Sequence, residues 1–157
     1  MKKKKKDLPL RNGVGIVVLN KKNQIFLAKR IDNPKNFWQM PQGGIDHGEE
    51  FFEAAIRELE EETSIKTVSL IKELDRLTTY LLPDHLVGII WKGKYKGQKQ
   101  KWFVVRFDGE ENEININTKN PEFLDWKWVN IDNLTDEVVN FKIHVYKEIQ
   151  RELYKII

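Results

Sequence analysis

The fold of this chain is decided by residues 43–65, which read GGIDHGEEFFEAAIRELEEETSI. Apolar side chains recur along this stretch with the i, i+3, i+4, i+7 spacing of one helix face, at Phe52, Ala55, Ile56 and Leu59. We therefore predict a helix from Glu49 to Glu62, after a turn at Gly43-Gly44. Gly48 is a tolerable cap, and acids at the first positions suit the positive end of a helix dipole.

Three carboxylates on this helix, Glu58, Glu61 and Glu62, have the i, i+3, i+4 spacing that places side chains on one face. Like charges about 4 Å apart repel each other by roughly 1 to 4 kcal/mol, depending on solvent screening. Negative charge is also disfavoured in the last helical turn. A purely structural helix gains nothing from this arrangement. Hard divalent cations take carboxylate oxygens as ligands, so the cluster indicates a metal site.

Length and composition bound the class of protein. The chain has 157 residues, with 40% hydrophobic and 32% charged residues, which is typical of one globular domain with a core. It contains no cysteine. That excludes thiolate metal sites, disulfides and a cysteine nucleophile, and it fits the reducing cytoplasm, where we expect the protein to act. No apolar run has the length needed to cross a membrane.

The net charge of +3 is unevenly distributed, because Lys2 to Lys6 contribute five positive charges. The rest of the chain is nearly neutral, with 22 basic against 24 acidic residues. We predict that residues 1–7 are a basic, disordered tail and that residues 8–157 form a single domain. Such a tail can raise the rate of association with a polyanion such as RNA.

Alternating and apolar runs outside the first helix predict strands and one more helix. The predicted strands are Gly13 to Leu19, Gln24 to Arg30, Ile65 to Leu74, Leu86 to Trp91, Lys101 to Phe107 and Asp125 to Val129. Thr135 is the predicted cap of a helix from Asp136 to about Lys155. Pro41 to Gly44 is predicted to break the short apolar run at residues 37–40. The economical architecture is an α+β fold, a mixed sheet with one helix against each face.

The fixed positions of residues 43–65 resemble the Nudix box, the signature of hydrolases that cleave nucleoside diphosphates linked to another moiety. The matching positions are Gly43, Glu49, Arg57, Glu58, Leu59, Glu61, Glu62 and Ile65, each with the gap that the signature requires. Ser64 departs from the pattern, because the family usually has glycine there. A left-handed serine costs about 1 kcal/mol relative to glycine, so the departure concerns helix exit rather than metal ligands.

Segments outside the box resemble one subfamily, the bacterial RNA pyrophosphohydrolases, also described as dinucleoside polyphosphate hydrolases and invasion-associated proteins. The resemblance runs from about Leu8 to Tyr154. The segments that carry it are residues 37–46, 97–103, 121–123, 126–129 and 138–142. It implies the Nudix α/β/α sandwich, with a mixed sheet packed between helices.

The acidic residues are assigned roles in metal-dependent hydrolysis. Glu58 and Glu62 are the predicted principal ligands of Mg²⁺ or Mn²⁺, with two or more ions in the substrate complex. Glu61 is a further ligand or the base that accepts a proton from the attacking water. The resemblance adds the Gly43 carbonyl and Glu122 to the metal site, and Glu122 is an equally open choice for the base.

Basic residues are expected to hold the cluster and the substrate. Arg57 lies four residues after Glu53 and four before Glu61, so it can fix a carboxylate by paired hydrogen bonds. The resemblance points to Arg11, Arg30 and Lys142 as phosphate-binding residues, although each alone is an ordinary surface charge. Residues 91–102 hold five lysines amid aromatics, a composition that suits either contact with nucleic acid or a solvated loop.

We expect the protein to remove pyrophosphate from the 5′-triphosphate end of RNA and so to promote RNA decay. The alternative on the same scaffold is hydrolysis of diadenosine tetra- to hexaphosphates, with ATP as a product. A catalytically silent nucleotide-binding module is disfavoured because all the acids of the box are kept. The expected partners are 5′-triphosphorylated RNA or dinucleoside polyphosphates, with no membrane and no obligatory protein partner.

Overall fold

The computed structural model of the protein describes residues 4–32 and 36–157. Its strands and helices, in chain order, are β1 (Leu10–Leu19), β2 (Ile25–Arg30), β3 (Trp38–Gln39), β4 (Gln42–Gly44), α1 (Phe51–Thr63), β5 (Val68–Glu73), β6 (Thr78–Leu81), β7 (Gly97–Phe107), β8 (Phe123–Val129) and α2 (Ile143–Ile156). Short 3₁₀ helices occupy Lys5–Asp7, Ile90–Gly93, Glu111–Glu113, Ile131–Asn133 and Asn140–Lys142. The described strands form one mixed sheet.

Strand β1 is the centre of this sheet. It runs parallel to β7 over a continuous ladder from Leu10↔Gly97 to Leu19↔Arg106. Its other edge is shared, because β4 pairs with Gly13–Gly15 while β2 pairs only at Leu19↔Ile25. The sheet order is β3-β2-β1-β7-β5, with β8 beside β2 and β6 beside β7. Sharing this edge brings the glycines of β4 against the middle of the sheet, where α1 also packs.

Alternation along the central strands divides the core into two layers. Even-numbered residues of β1, such as Val14 and Ile16, pack with α1 through Ala55 and Leu59. The opposite face packs with α2 and contains Val17, Leu19, Trp102, Val104, Tyr146, Ile149 and Leu153. One helix therefore covers each face of a mixed sheet, which confirms the predicted α+β sandwich.

Two strand predictions are wrong. Residues 86–91 are turns leading into a 3₁₀ helix, and the strand in this region is β6, which lies earlier at Thr78–Leu81. The apolar run is interrupted because Gly88, Trp91 and Lys92 all have positive φ, which no strand accommodates. The predicted break at residues 41–44 is instead strand β4, since tertiary pairing with β1 overrides the weak strand propensity of its glycines.

The helix boundaries differ from prediction mainly at the N-terminal ends. α1 begins at Phe51 with Glu50 as N-cap instead of Gly48, and it ends at Thr63 with Ser64 left-handed. α2 begins at Ile143 rather than at residue 136. The backbone N–H of Trp38 donates to the carbonyl of Glu137, and this tie to β3 holds the preceding segment out of helical geometry.

The N-terminal lysine run is partly described. Lys5–Asp7 form a 3₁₀ turn in the region predicted to be a disordered tail. The Lys5 ammonium donates to the Leu82 carbonyl at 2.6 Å and to Asp84 at 3.0 Å. The tail prediction for residues 1–3 lies outside the described residues. In the part of the chain that the structure describes, no helix is both long and apolar enough to cross a membrane.

Candidate active site

One open cleft of about 700 Å³ at the C-terminal end of α1 is lined by Glu58, Glu61, Glu62 and Glu122, and also by Glu60. The first three come from one face of α1, as their spacing predicts. Glu122 immediately precedes β8, and its carbonyl accepts a hydrogen bond from the N–H of Ile31 at the end of β2. The β2–β8 pairing thus delivers a fourth carboxylate from a separate loop to the helix.

Glu62 is the most buried of these acids, with 4% of its surface exposed. Its Oε2 has no hydrogen-bond partner among the residues that the structure describes. Burial, followed by the charges of Glu122 and Glu58, raises the pKa of Glu62 well above its usual range, although Arg30 and the Gln42 backbone oppose the shift. A buried carboxylate left in this state destabilises the fold unless something binds it.

Glu58 lies against the backbone of β4. A Cβ at Gly43 would collide with the Glu58 carboxylate, so only glycine permits this approach. Burial raises the pKa of Glu58, and the charges of Glu61 and Glu122 add to the shift, although Arg57 lowers it. Gly43 therefore lies beside a carboxylate of the cleft, where the resemblance to the family expects it.

Arg57 organises the acidic face. Its Nη1 donates to Glu58 at 2.8 Å and to Glu61 at 3.2 Å, while Nη2 donates to the Gly44 carbonyl at 3.0 Å. Its strongest partner is Glu49, which accepts bonds of 2.7 and 3.0 Å. These partners raise the pKa of Arg57, with Glu49 the largest cause.

The ion pair with Glu49 was missed by sequence reasoning, which considered Glu53 as the partner preceding Arg57. Among the described residues, Glu53 forms no ion pair with Arg57, whereas Glu49 does. Glu49 precedes the first helical residue, so its position is set by the turn before α1 rather than by helical spacing. The family signature includes Glu49, and this is the signal that could have identified it.

The acidic residues of the cleft are candidate ligands for a divalent cation. Within residues 4–32 and 36–157, no three acidic or histidine side chains converge closely enough to hold a metal as they stand. Arg57 Nη1 binds both Glu58 and Glu61, so these two carboxylates are turned toward the guanidinium. The unpaired oxygen of Glu62, close to two further carboxylates, is nevertheless the all-oxygen donor set that Mg²⁺ and Mn²⁺ prefer. The residues present therefore fit a hard cation.

The predicted basic residues lie around the same region. Arg30 pairs with Asp32 through two bonds of 2.8 and 2.9 Å and lies 3.9 Å from Glu122. Lys142 is 7% exposed, beneath the Tyr80 ring at 5.1 Å. Burial, followed by the charge of Arg30, lowers the pKa of Lys142 to about 8, although the charge of Glu62 opposes the change. Arg30 and Lys142 therefore both act electrostatically on Glu62.

Buried amides form a polar floor between Arg11 and Lys142 that the sequence analysis did not identify. Gln98 is fully buried, accepts a 3.0 Å bond from Arg11, and leaves its Nε2 without a partner in the described part of the chain. Gln100 donates to Gln42 at 2.9 Å. Burial raises the pKa of Tyr80, beside this floor, to about 12. The only sequence signal is that Gln98 and Gln100 occupy the face of β7 that Trp102 continues.

Comparisons with known proteins identify the family of this chain. A family model described as the NUDIX domain matches residues 9–149. The RNA pyrophosphohydrolase of Pelagibacter ubique is 64% identical over 157 residues, covering 100% of this chain and 99% of the relative. This relative and the present chain therefore share nearly their whole lengths.

Two solved structures share the fold. The E. coli dihydroneopterin triphosphate pyrophosphohydrolase superposes with a TM-score of 0.71 at 21% identity, over 93% of this chain and 99% of that one. The C. elegans Ap4A hydrolase gives 0.63 at 18% identity, over 91% and 98%. At these identities the likeness establishes the fold alone. Taken with the family match and the close relative, it shows that the chain belongs to the Nudix family of phosphoanhydride hydrolases.

Proposed function

We propose that this protein is an RNA pyrophosphohydrolase, which hydrolyses the 5′-triphosphate end of RNA to a 5′-monophosphate and pyrophosphate. The observation that carries the proposal is the buried Glu62 carboxylate, whose Oε2 has no hydrogen-bond partner among the described residues and which lies close to Glu58, Glu122, Arg30 and Lys142. A cation and a polyanion together complement such a site, and neither does so alone. The name of the Pelagibacter ubique relative supports RNA as the polyanion.

Nudix hydrolases depend on a divalent metal, and this chain offers a matching set of ligands. We assign Glu58 and Glu62 as principal ligands of Mg²⁺ or Mn²⁺, with Glu61, Glu122 and the Gly43 carbonyl completing a site for two or more ions. When bound, such ions neutralise phosphate charge and lower the pKa of coordinated water. Arg57 orients Glu58 and Glu61 so that their carboxylates remain on the cleft side of α1.

The chain's own residues bind the substrate and accept a proton. Arg11, Arg30 and Lys142 are the proposed contacts of the phosphates, since each is a cation close to the acidic cleft. Either Glu61 or Glu122 accepts the proton of the attacking water. Glu61 is 58% and Glu122 47% exposed, so both carboxylates are open to solvent and to a substrate. Glu122 approaches from a different direction because it belongs to a separate loop.

Hydrolysis of dinucleoside polyphosphates is the second candidate, because the same cleft would accept any polyphosphate chain. The acidic side chains are assigned to metal ions and the basic side chains to phosphates, so none of them is assigned to the nucleobase or the ribose. Discrimination must then come from residues beyond the cleft. In the bacterial cytoplasm, where we expect the protein to act, a 5′-monophosphate end would make RNA a better substrate for nucleases.

The decisive experiment is product analysis with end-labelled triphosphorylated RNA and, in parallel, diadenosine pentaphosphate, each with Mg²⁺. We expect release of pyrophosphate from RNA and a higher kcat/KM on RNA than on the small molecule. Greater efficiency on the dinucleotide would favour the second candidate. Release of orthophosphate alone, or of no product from either substrate, would contradict both.

A further inference from the structure

The N-terminal segment packs against the long connection between β6 and β7. Lys5 bonds to the Leu82 carbonyl and to Asp84, as described above. The N–H of Lys96 donates to the carbonyl of Pro9 at 3.1 Å. These contacts fix the start of the chain beside residues 82–96, so lysines that are far apart in sequence lie on neighbouring segments.

Most of the exposed charged side chains of these two segments are basic. We define the basic ridge as four exposed lysines, Lys4, Lys6, Lys92 and Lys94. The acidic residues in segments 4–11 and 82–96 are Asp7 and Asp84, and Asp84 is already paired with Lys5. The ridge therefore keeps a strong positive charge that its own segments do not compensate.

The ridge is continuous with the candidate active site. The Arg11 guanidinium lies over the ring of Trp91, 5.2 Å from its centroid, and Trp91 directly precedes Lys92. On its other side Arg11 packs against Gly44, whose carbonyl accepts a hydrogen bond from Arg57. A chain of contacts thus leads from the carboxylates of α1 through Arg11 to the ridge.

The backbone at the junction is strained. Trp91 and Lys92 have φ of 52° and 58°, consecutive left-handed conformations that residues other than glycine rarely adopt. Trp91 also makes an edge-on contact with Tyr95, with ring centroids 6.2 Å apart. Strain of this kind persists where the surroundings enforce it, and it is concentrated at functional segments. Here it fixes an aromatic ring and a lysine side by side.

We propose that the basic ridge binds the phosphates of single-stranded RNA downstream of its triphosphate end. Lysines interleaved with aromatic rings suit single-stranded nucleic acid, because every phosphate is anionic and every base has a face to stack. A dinucleoside polyphosphate has no phosphates beyond its bridging chain to reach the ridge. This inference rests on the proposed function, and it supplies the discrimination that the cleft lacks.

The test compares a ridge variant carrying Lys→Gln at its four positions with a control variant. The control carries Lys→Gln at four exposed lysines elsewhere, on the β1–β2 turn, β5 and α2: Lys21, Lys22, Lys72 and Lys147. Substrates are triphosphorylated RNAs of two and twelve nucleotides and diadenosine pentaphosphate. For the ridge variant we expect KM on the twelve-nucleotide RNA to rise about tenfold, with little change on the two short substrates.

Salt dependence gives a second readout. Each lost phosphate contact should reduce the slope of log KM against log salt concentration by about 0.7 for single-stranded RNA. The control variant should keep the wild-type slope. Thermal unfolding of both variants should match wild type, because all the substituted side chains are exposed.

The outcomes separate this inference from the proposed function. If wild type does not hydrolyse triphosphorylated RNA, the proposed function fails. If wild type hydrolyses it and the ridge variant matches the control on the long RNA, the ridge inference alone is overturned. An equal loss on all three substrates would overturn it too. So would a normal KM on long RNA combined with loss of binding to vesicles of phosphatidylglycerol, which would identify a membrane surface instead.

Discussion

The two helices cover opposite faces of one sheet, yet their polar sides differ in composition. α1 buries Ala55 and Leu59, and α2 buries Ile149 and Leu153, so each contributes an apolar face to the core. The opposite side of α1 concentrates carboxylates, one of them buried without full pairing. The opposite side of α2 carries exposed lysines and half-buried glutamates, and therefore charges of both signs. The clustered carboxylates of α1 destabilise the fold and belong to the proposed active site, whereas α2 contributes mainly by packing on the sheet.

The largest expected effect is on turnover, from the same substitution on each helix. Glu62→Gln should lower hydrolysis of triphosphorylated RNA at least about a hundredfold, because a neutral amide is a poor ligand for a hard cation. Glu152→Gln on α2, where Glu152 only pairs with Lys155 at 3.1 Å, should leave turnover near wild type. Steady-state kinetics at saturating Mg²⁺ measures both. Unchanged turnover in Glu62→Gln would remove the proposed ligand role.

Cavity-forming substitutions should separate packing from site support. Leu59→Ala and Leu153→Ala each remove a fully buried side chain, and each should lower the free energy of unfolding by about 2 to 5 kcal/mol. Only Leu59→Ala should also lower turnover per folded molecule, since Leu59 anchors the helix turn that carries Glu58 and Glu62. Urea denaturation and active-fraction kinetics measure the two effects. An equal loss of turnover in Leu153→Ala would contradict the division between the helices.

Lys142, at the start of α2, is a buried charged residue on the face of the sheet that α2 otherwise covers with apolar side chains. Its pKa of about 8 means that between pH 8 and 10.5 the unfolded chain binds more protons than the native state, so stability rises with pH there. Lys142→Met should therefore stabilise the fold at pH 7 by roughly 3 to 4 kcal/mol, since the pKa falls from 10.5 to about 8 and each pKa unit is worth about 1.4 kcal/mol. The gain should shrink as the pH rises from 8 to 10.5.

Denaturation of Lys142→Met at pH 7 and pH 10 measures this gain. Lys147→Met, at an exposed position of α2, is the matched control and should show no such pH dependence. The KM of Lys142→Met for triphosphorylated RNA should rise at pH 7, because a phosphate contact is lost. Destabilisation at pH 7 would mean that the ammonium is well compensated in the native state.

The smallest expected effect is on the free energy of unfolding, from substitutions at the C-terminal end of α1. Ser64 is left-handed, with φ of 66°, and its hydroxyl donates to the Asn115 carbonyl at 2.8 Å. Ser64→Gly relieves about 1 kcal/mol of strain and loses a bond worth about 0.5 to 1.5 kcal/mol, so stability should change by less than about 1 kcal/mol. Ser64→Ala keeps the strain and loses the bond, and it should be the less stable variant in urea denaturation.

Local patterns made α1 predictable, including the shared face of Glu58, Glu61 and Glu62. Helical periodicity needs only neighbouring residues, so it survives without knowledge of the rest of the fold. The bounds were less accurate, because the N-cap at Glu50 depends on the turn that precedes it. The family resemblance named Glu122, and the structure brings it to the same cleft.

Features that depend on long-range pairing were not predictable. Residues 42–44 have poor strand propensity and become a strand only because β1 accepts them. The burial of Gln98 and its bond to Arg11 follow from the parallel register of β1 and β7. The apolar run at residues 86–91 predicted a strand, yet left-handed residues place it in a loop.

The parallel ladder between β1 and β7 determines how early the chain can fold during its synthesis. Arg11 and Gln98 are 87 residues apart, and the central strand finds its longest partner only across that separation. Closing so large a loop costs chain entropy before any contact along the ladder forms. During synthesis, the polar floor can therefore form only after β7 has left the ribosome. The acids of α1 are made long before the surface that would present a substrate to them.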